Sequence, residues 1–226
     1  MPGIPHPMTN GYVESICSIS EGQEDAVYAL IRRTVNGSTV RYVERLNTRQ
    51  FTEQQDAFFV DSGLSYSGEN TDSTRTMTIS TAGGWTYQDE LTLTCSTAIF
   101  DSSSTSQEIH IPYTEDGISK SMRISIAEVV SSTVATVLVN RDVPAALRNS
   151  AQSTWSIARR TFAGLSHLEG QTVSILADGN VEPQQVVSGG EVTIENHSSV
   201  VHIGLPVAAV IETLDRERCR AVYAAG

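Results

Sequence analysis

Residues 26–46 read AVYALIRRTVNGSTVRYVERL, and the way this stretch pairs with itself decides the fold. Asn36-Gly37 is a strong hairpin signal, because both central positions of a type I′ turn need positive φ. A two-residue turn there pairs Val35 with Ser38, Arg33 with Val40, Ile31 with Tyr42 and Val27 with Leu46. Side chains alternate along a strand, so those residues share one face with Ala29 and Glu44. The other face carries Tyr28, Leu30, Arg32, Arg41, Val43 and Arg45. Arg32 then lies opposite Arg41, and like charges across a strand pair destabilise it. Two resolutions are open: an acidic partner nearby, for instance from another subunit, or two side chains splayed into water.

The same grammar of short alternating runs and frequent turns continues along the chain, which is the pattern of an all-β protein. Phe58, Phe59 and Val60 read as a buried strand ending at Asp61-Ser62-Gly63. Residues 67–89 are small and polar, with one weak strand among loops. Strands are expected at 90–100, 107–113, 120–127 and 128–139. Residues 145–162 (AALRNSAQSTWSIARRTF) carry apolar side chains at 147, 151, 155 and 158, which is helical spacing. An extended reading of SIARRTF stays open.

Residues 164–181 (GLSHLEGQTVSILADGNV) hold a histidine, a glutamate and an aspartate among three glycines. His167 to Gly170 reads as a turn, 172–177 as a strand, and Asp178-Gly179 as a second hairpin signal. Residues 184–187, the Gly189-Gly190 turn, 191–195 and 199–205 continue a meander.

The 226 residues allow one large domain or two small ones. A hydrophobic fraction of 39% with 18% charged residues is a globular composition. No apolar run reaches the ~18 residues of a membrane helix, and MPGIPHPMTN lacks the basic and apolar regions of a signal peptide. The formal net charge of −11 opposes phosphate neutralisation as a route to nucleic acid. Cys17, Cys95 and Cys219 are widely spaced and form no CxxC pair, which reads as free thiols in a reducing compartment.

No motif with a mechanism is present. His6, His110, His167, His197 and His202 make no HExxH pattern, and there is no phosphate loop, dinucleotide fingerprint or nucleophile elbow. Residues 178–182 lack the acidic ladder of a calcium loop, and Cys95 lies within an alternating strand, where a buried core residue is the common case. The expectation is therefore a protein with no catalytic set, no cofactor and no metal.

Taken in order, VESICSISEGQEDAVYALIRRTVNGSTVRYVERL, DAFFVDSGLSYSG, TFAGLSHLEGQTVSILADGNV and HIGLP resemble the tail nozzle, or stabilisation (tail tubular), proteins of tailed bacteriophages. The resemblance spans most of residues 12–215. Between these segments, LTLTCSTAIFDSSSTSQEIHI is similar to a small β-barrel module named after the first catalytic-cysteine half-domain of ubiquitin-activating enzymes. Ser104-Thr105-Ser106 stands where that module usually has Asp-Val-Gly.

The resemblance implies a structural virion component, assembled in the bacterial cytoplasm as a ring with other copies of itself and with tail or portal-adaptor proteins. DNA would pass through the lumen without a binding site, and no membrane anchor would be needed. It also implies a discontinuous antiparallel β unit, meander- or propeller-like, built from 11–66 and 160–215. Residues 67–159 would be a small barrel or sandwich inserted at Ser67-Gly68, residues 1–10 an irregular lead-in, and 216–226 a tail, cut short where the chain is a fragment. Arg32, Arg33, Arg41 and Arg45 are the expected subunit-interface patch. The alternative is a recognition module for a host-surface glycan or protein, with Trp85, Tyr87 and Tyr113 as stacking residues; core packing of those aromatics is the competing reading.

Overall fold

The computed structural model describes residues 8–207 except Gln23, Thr48, Arg49 and Gln88. His6, Cys219, the 216–226 tail and most of the lead-in lie outside the described residues. Those described form an all-β protein of three antiparallel sheets with no α-helix.

The first sheet is a meander of β1 (Gly11–Glu21), β2 (Glu24–Val35) and β3 (Ser38–Arg45), with β2 in the middle. Asn36 and Gly37 adopt φ of 46° and 76°, and the pairing runs Val35↔Ser38, Arg33↔Val40, Arg32↔Arg41, as the turn chemistry dictates. Asp116-Gly117 and Asp178-Gly179 close two further hairpins with the same pair of positive φ values.

The second sheet contains β5 (Met77–Ser80), β6 (Leu91–Cys95), β7 (Glu108–Glu115), β8 (Ile118–Ser131), β9 (Val134–Val139), β10 (Ser156–Phe162) and β13 (Val192–Ser198), in the order β13-β10-β7-β8-β9-β6-β5. Alternate residues face inward, for example Leu91, Leu93 and Cys95, or Met122, Ile124 and Ile126. Phe100, Val143, Leu147 and Trp155 from the connections complete this core. The third sheet orders β12 (Asn180–Val186), β11 (Thr172–Ala177), β14 (Val200–Pro206) and β4 (Val60–Ser67). Its core holds Phe162, Leu165, Leu168, Val173, Ile175, Val201, Ile203 and Leu205.

Two expectations are corrected. Residues 145–162 are not a helix. One 3-10 turn, Ala145–Leu147, is followed by extended chain and then β10. Asn149 takes φ +51°, which ends any helix, and its N–H donates to the Ile79 carbonyl at 2.9 Å. Gln152 then exchanges backbone hydrogen bonds with Met77. Leu147, Trp155 and Ala158 are buried while Ala151 is exposed, and the buried residues reach the interior from an irregular and then an extended backbone rather than from one helical face.

The Phe58–Val60 reading also shifts. Phe59 is 56% exposed and meets Phe51 edge-on at 5.6 Å. The strand instead begins at Val60 and runs through Asp61-Ser62-Gly63, with Ser62 at φ +51° in a bulge opposite the Ile203–Leu205 step.

β4 and β14 are adjacent although far apart in sequence. The chain leaves this sheet at Gly68 and passes it again at Ile157, in β10 of the second sheet, and these two residues touch. The Ile157 N–H donates to the Gly68 carbonyl at 2.8 Å, and the Gly68 N–H to the Ser199 carbonyl at 2.8 Å. A Cβ on residue 68 would lie 1.9 Å from the Ile157 oxygen, so only glycine fits. β10 then serves both sides: Ser156–Ala158 pair with β7, and Arg159–Phe162 pair with β13.

Candidate assembly surface

The sheet β1–β2–β3 differs from the other two in having little core of its own. Almost all of β1 is exposed, as is every second residue of β3, while Ile31 is fully buried near the hairpin end of β2. Tyr12 (62%), Ile16 (65%), Ile19 (51%) and Val43 (71%) leave large apolar side chains in solvent. Apolar exposure concentrated on one element marks an interaction surface more often than singly scattered residues do.

Its charges are organised. β1 carries a bulge between Val13 and Ser15, which aims Glu14 at the arginines opposite each other on β2 and β3. Arg41 donates to the Glu14 carboxylate through Nε at 2.6 Å and Nη2 at 3.1 Å, and Arg32 Nε stands 3.7 Å away. The acidic partner that Arg32 and Arg41 require thus comes from within the chain. The Arg41 hydrogen bond is the main reason that Glu14 sits below the usual carboxylate range. Farther along, Glu21 accepts from the Tyr28 hydroxyl and from Arg45 at 3.0 Å. The Tyr28 bond first, and Arg45 second, lower the Glu21 carboxyl, while Glu21 raises the Tyr28 phenol. Arg32 also lies over the Tyr12 ring at 5.1 Å.

Of the four arginines expected at an interface, Arg32, Arg41 and Arg45 share this open face. Arg33 does not. It is 3% exposed, makes a two-pronged pair with Glu44 at 2.6 and 2.8 Å, and donates to the Thr9 carbonyl at 2.6 Å. Glu14 and Glu21 complete the surface, and sequence reasoning missed them. Their signal was the acidic residues of a strand placed next to a hairpin with an uncompensated arginine pair.

The three aromatics are not gathered into one platform. Tyr113 is buried in the second sheet's core, its hydroxyl accepting from Arg141 at 3.4 Å. Trp85 is half-buried beneath Arg148, at 5.5 Å. Tyr87 is exposed.

The polar groups of 164–181 hold backbone. Asp178 Oδ1 accepts from the Ser199 N–H (2.9 Å), the Ser199 hydroxyl (3.1 Å) and the Val200 N–H (2.8 Å). Glu169 accepts from the N–H groups of Gly189 and Gly190. His167 Nε2 donates to the Ser62 carbonyl at 2.8 Å.

A second polar cluster lies where β7 and β13 approach. Glu108 stands between His110 (3.3 Å) and His197 (3.4 Å) and accepts from Ser125. The His110 hydrogen bond lowers its carboxyl in spite of partial burial. His202 is buried, with Nδ1 2.6 Å from the Ser65 hydroxyl and Phe58 edge-on at 5.4 Å. Its Nε2 makes no well-formed hydrogen bond. Burial pushes this imidazole below its ordinary value, while the Gln55 backbone and Asp56 pull it partly back. Among the described residues, no group of three His, Cys, Asp or Glu side chains is placed to hold a metal ion.

A scan against protein-family models and a search of curated proteins each return no match to this chain.

Proposed function

We propose that this chain is a structural subunit of a phage tail, forming a ring with copies of itself around the channel through which DNA passes, and that it performs no catalysis. The observation that carries the reading is the β1–β3 sheet, whose apolar side chains stay in solvent while its charges are matched internally. The exposed apolar side chains are what such an interface would bury, while the ion pairs, costly to desolvate, suit its solvated rim. The order of the segments that resemble tail nozzle proteins supports the same reading. The charge of −11 suits a wall that DNA slides past, because like charge keeps the duplex from adhering. Such a subunit belongs to the virion and would dock other tail or portal-adaptor proteins.

Light scattering of the purified chain across concentration and salt tests this. One discrete ring-sized species is expected. A monomer at every concentration, together with absence of the protein from virions, would refute the proposal.

A further inference from the structure

We infer that neighbouring copies join by pairing the β1 edge of one with the β3 edge of the next, in parallel, so that one sheet runs across the subunit boundary. This rests on the ring reading only for its closure.

The first observation is the pair of open edges. In the order β1-β2-β3 the outer sides of β1 and β3 meet no other described strand. Edge strands are normally protected by charged side chains, proline, a bulge or a cover. Neither β1 (GYVESICSISE) nor β3 (STVRYVER) contains lysine or proline, and the bulge of β1 lies near its start, between Val13 and Ser15, leaving Ser15–Glu21 in regular register. The row of backbone N–H and C=O groups along such an edge is a template on which another strand can pair.

Charge decides which strand. β1 brings Glu14 and Glu21 and no base. β3 brings Arg41 and Arg45, and its one acid, Glu44, is engaged by Arg33 on the opposite face. A β1–β1 contact sets glutamates together, and a β3–β3 contact sets arginines together; only β1 against β3 is complementary. Residues 11–46 hold five acidic and four basic side chains in a chain of net charge −11, so copies repel least through this sheet.

Register follows from the pairing within one copy. Tyr12 lies level with Arg32 and thence Arg41, and Cys17 with Tyr28 and thence Arg45. β1 and β3 are both antiparallel to β2 and so parallel to each other. Continuing the sheet at the same level therefore sets Tyr12 of one copy beside Arg41 of its neighbour, and Cys17 beside Arg45. The carboxylate of Glu14, which reaches Arg41 across β2 in its own copy, then has the neighbour's Arg41 at the adjacent strand. A contact between two different edges is head-to-tail, and a head-to-tail contact closes into a ring when its rotation allows.

The test uses Cys17, which is free and exposed. Within one copy Cys17 and Arg45 are two strand spacings apart, roughly 10 Å, beyond disulfide reach. Across the proposed boundary they are about one spacing apart. In a Cys219→Ser background, Arg45→Cys treated with copper–phenanthroline is expected to give a ladder of covalent multimers extending past the dimer. Cys17→Ser added to it should abolish the ladder. Dimers alone, dimers from the unsubstituted Cys17 chain, or no cross-link at all would overturn the inference. As a second readout that leaves Cys17, Arg45 and Cys219 native, Glu14→Arg should dissociate the oligomer and Glu14→Arg with Arg41→Glu should restore it. A discrete ring by light scattering that neither cross-links nor responds to the charge swap defeats this interface but leaves the ring reading standing; a strict monomer defeats both.

Discussion

Gly68→Ala is the substitution that most directly probes how the two cores are tied together. The new methyl would sit 1.9 Å from the Ile157 carbonyl oxygen and 2.7 Å from the Tyr66 hydroxyl, whereas ordinary contact begins at 3.4 Å. The two backbones must separate by about 1.5 Å, more than a hydrogen bond tolerates. Three bonds are in the path: Ile157 N–H to Gly68 O, Gly68 N–H to Ser199 O, and Tyr66 hydroxyl to Ile157 O at 2.9 Å. At about 1 kcal/mol net each, their loss costs about 3 kcal/mol. Gly83→Ala is the control, because its methyl meets nothing nearer than 3.8 Å and should be neutral or stabilising by up to ~1 kcal/mol. Urea unfolding is followed by tryptophan fluorescence, since Trp155 lies in the second sheet's core and Trp85 packs against it, and by far-ultraviolet circular dichroism, which also sees the third sheet. Gly68→Ala should lower the midpoint and pull the two transitions apart. If it matches Gly83→Ala within ~0.5 kcal/mol and the transitions coincide, the junction does not couple the cores and the reasoning is wrong.

Two further outcomes are expected. Asp178→Ala removes an acceptor shared by three donors and should cost about 2–4 kcal/mol; Asp178→Asn keeps an oxygen and tolerates the positive φ, so its loss should be about half, and equal, negligible losses in thermal melts would contradict the anchoring role. For His202, burial lowers the folded value below 6.5, so the unfolded chain takes up the proton first; stability is unaffected above about pH 6.5 and declines as pH falls through that value. His202→Asn should flatten the slope of unfolding free energy between pH 7 and 5, and an unchanged slope would count against it.

The first hairpin was legible because Asn36-Gly37 dictates local geometry, and local geometry fixes register. Leu91-Leu93-Cys95 and Met122-Ile124-Ile126 were legible for a similar reason, since they alternate where one face is buried, but the expected strand 128–139 is divided by a turn at 132–133, with β8 running on to Ser131 and β9 starting at Val134, and the expected strand 90–100 ends at Cys95. Residues 145–162 were misread because apolar side chains at helical spacing also arise when irregular backbone winds past a core, and the Asn149 left-handed turn leaves no periodic trace. At the surface, the Arg32–Arg41 opposition was visible and its relief by Glu14 was not. That contact spans a whole strand and depends on a bulge at Val13–Ser15. Arg33 was assigned to the surface with its neighbours because charge predicts exposure on average; its burial depends on Glu44 and on the Thr9 carbonyl brought in from the chain's beginning.

The contact between Gly68 and Ile157 also bears on the order of folding. Pairing β4 with β14 in an unfolded chain means closing a loop from residue 67 to residue 200. Once residues 68–157 have folded, their ends are held together and that excursion drops out of the loop, leaving about a third of its length. Loop-closure entropy falls by about 1 kcal/mol, a several-fold gain in the chance that the last strands meet. An inner unit that folds first is thus a splint for the outer one, because the long-range sheet is then assembled across a gap already bridged.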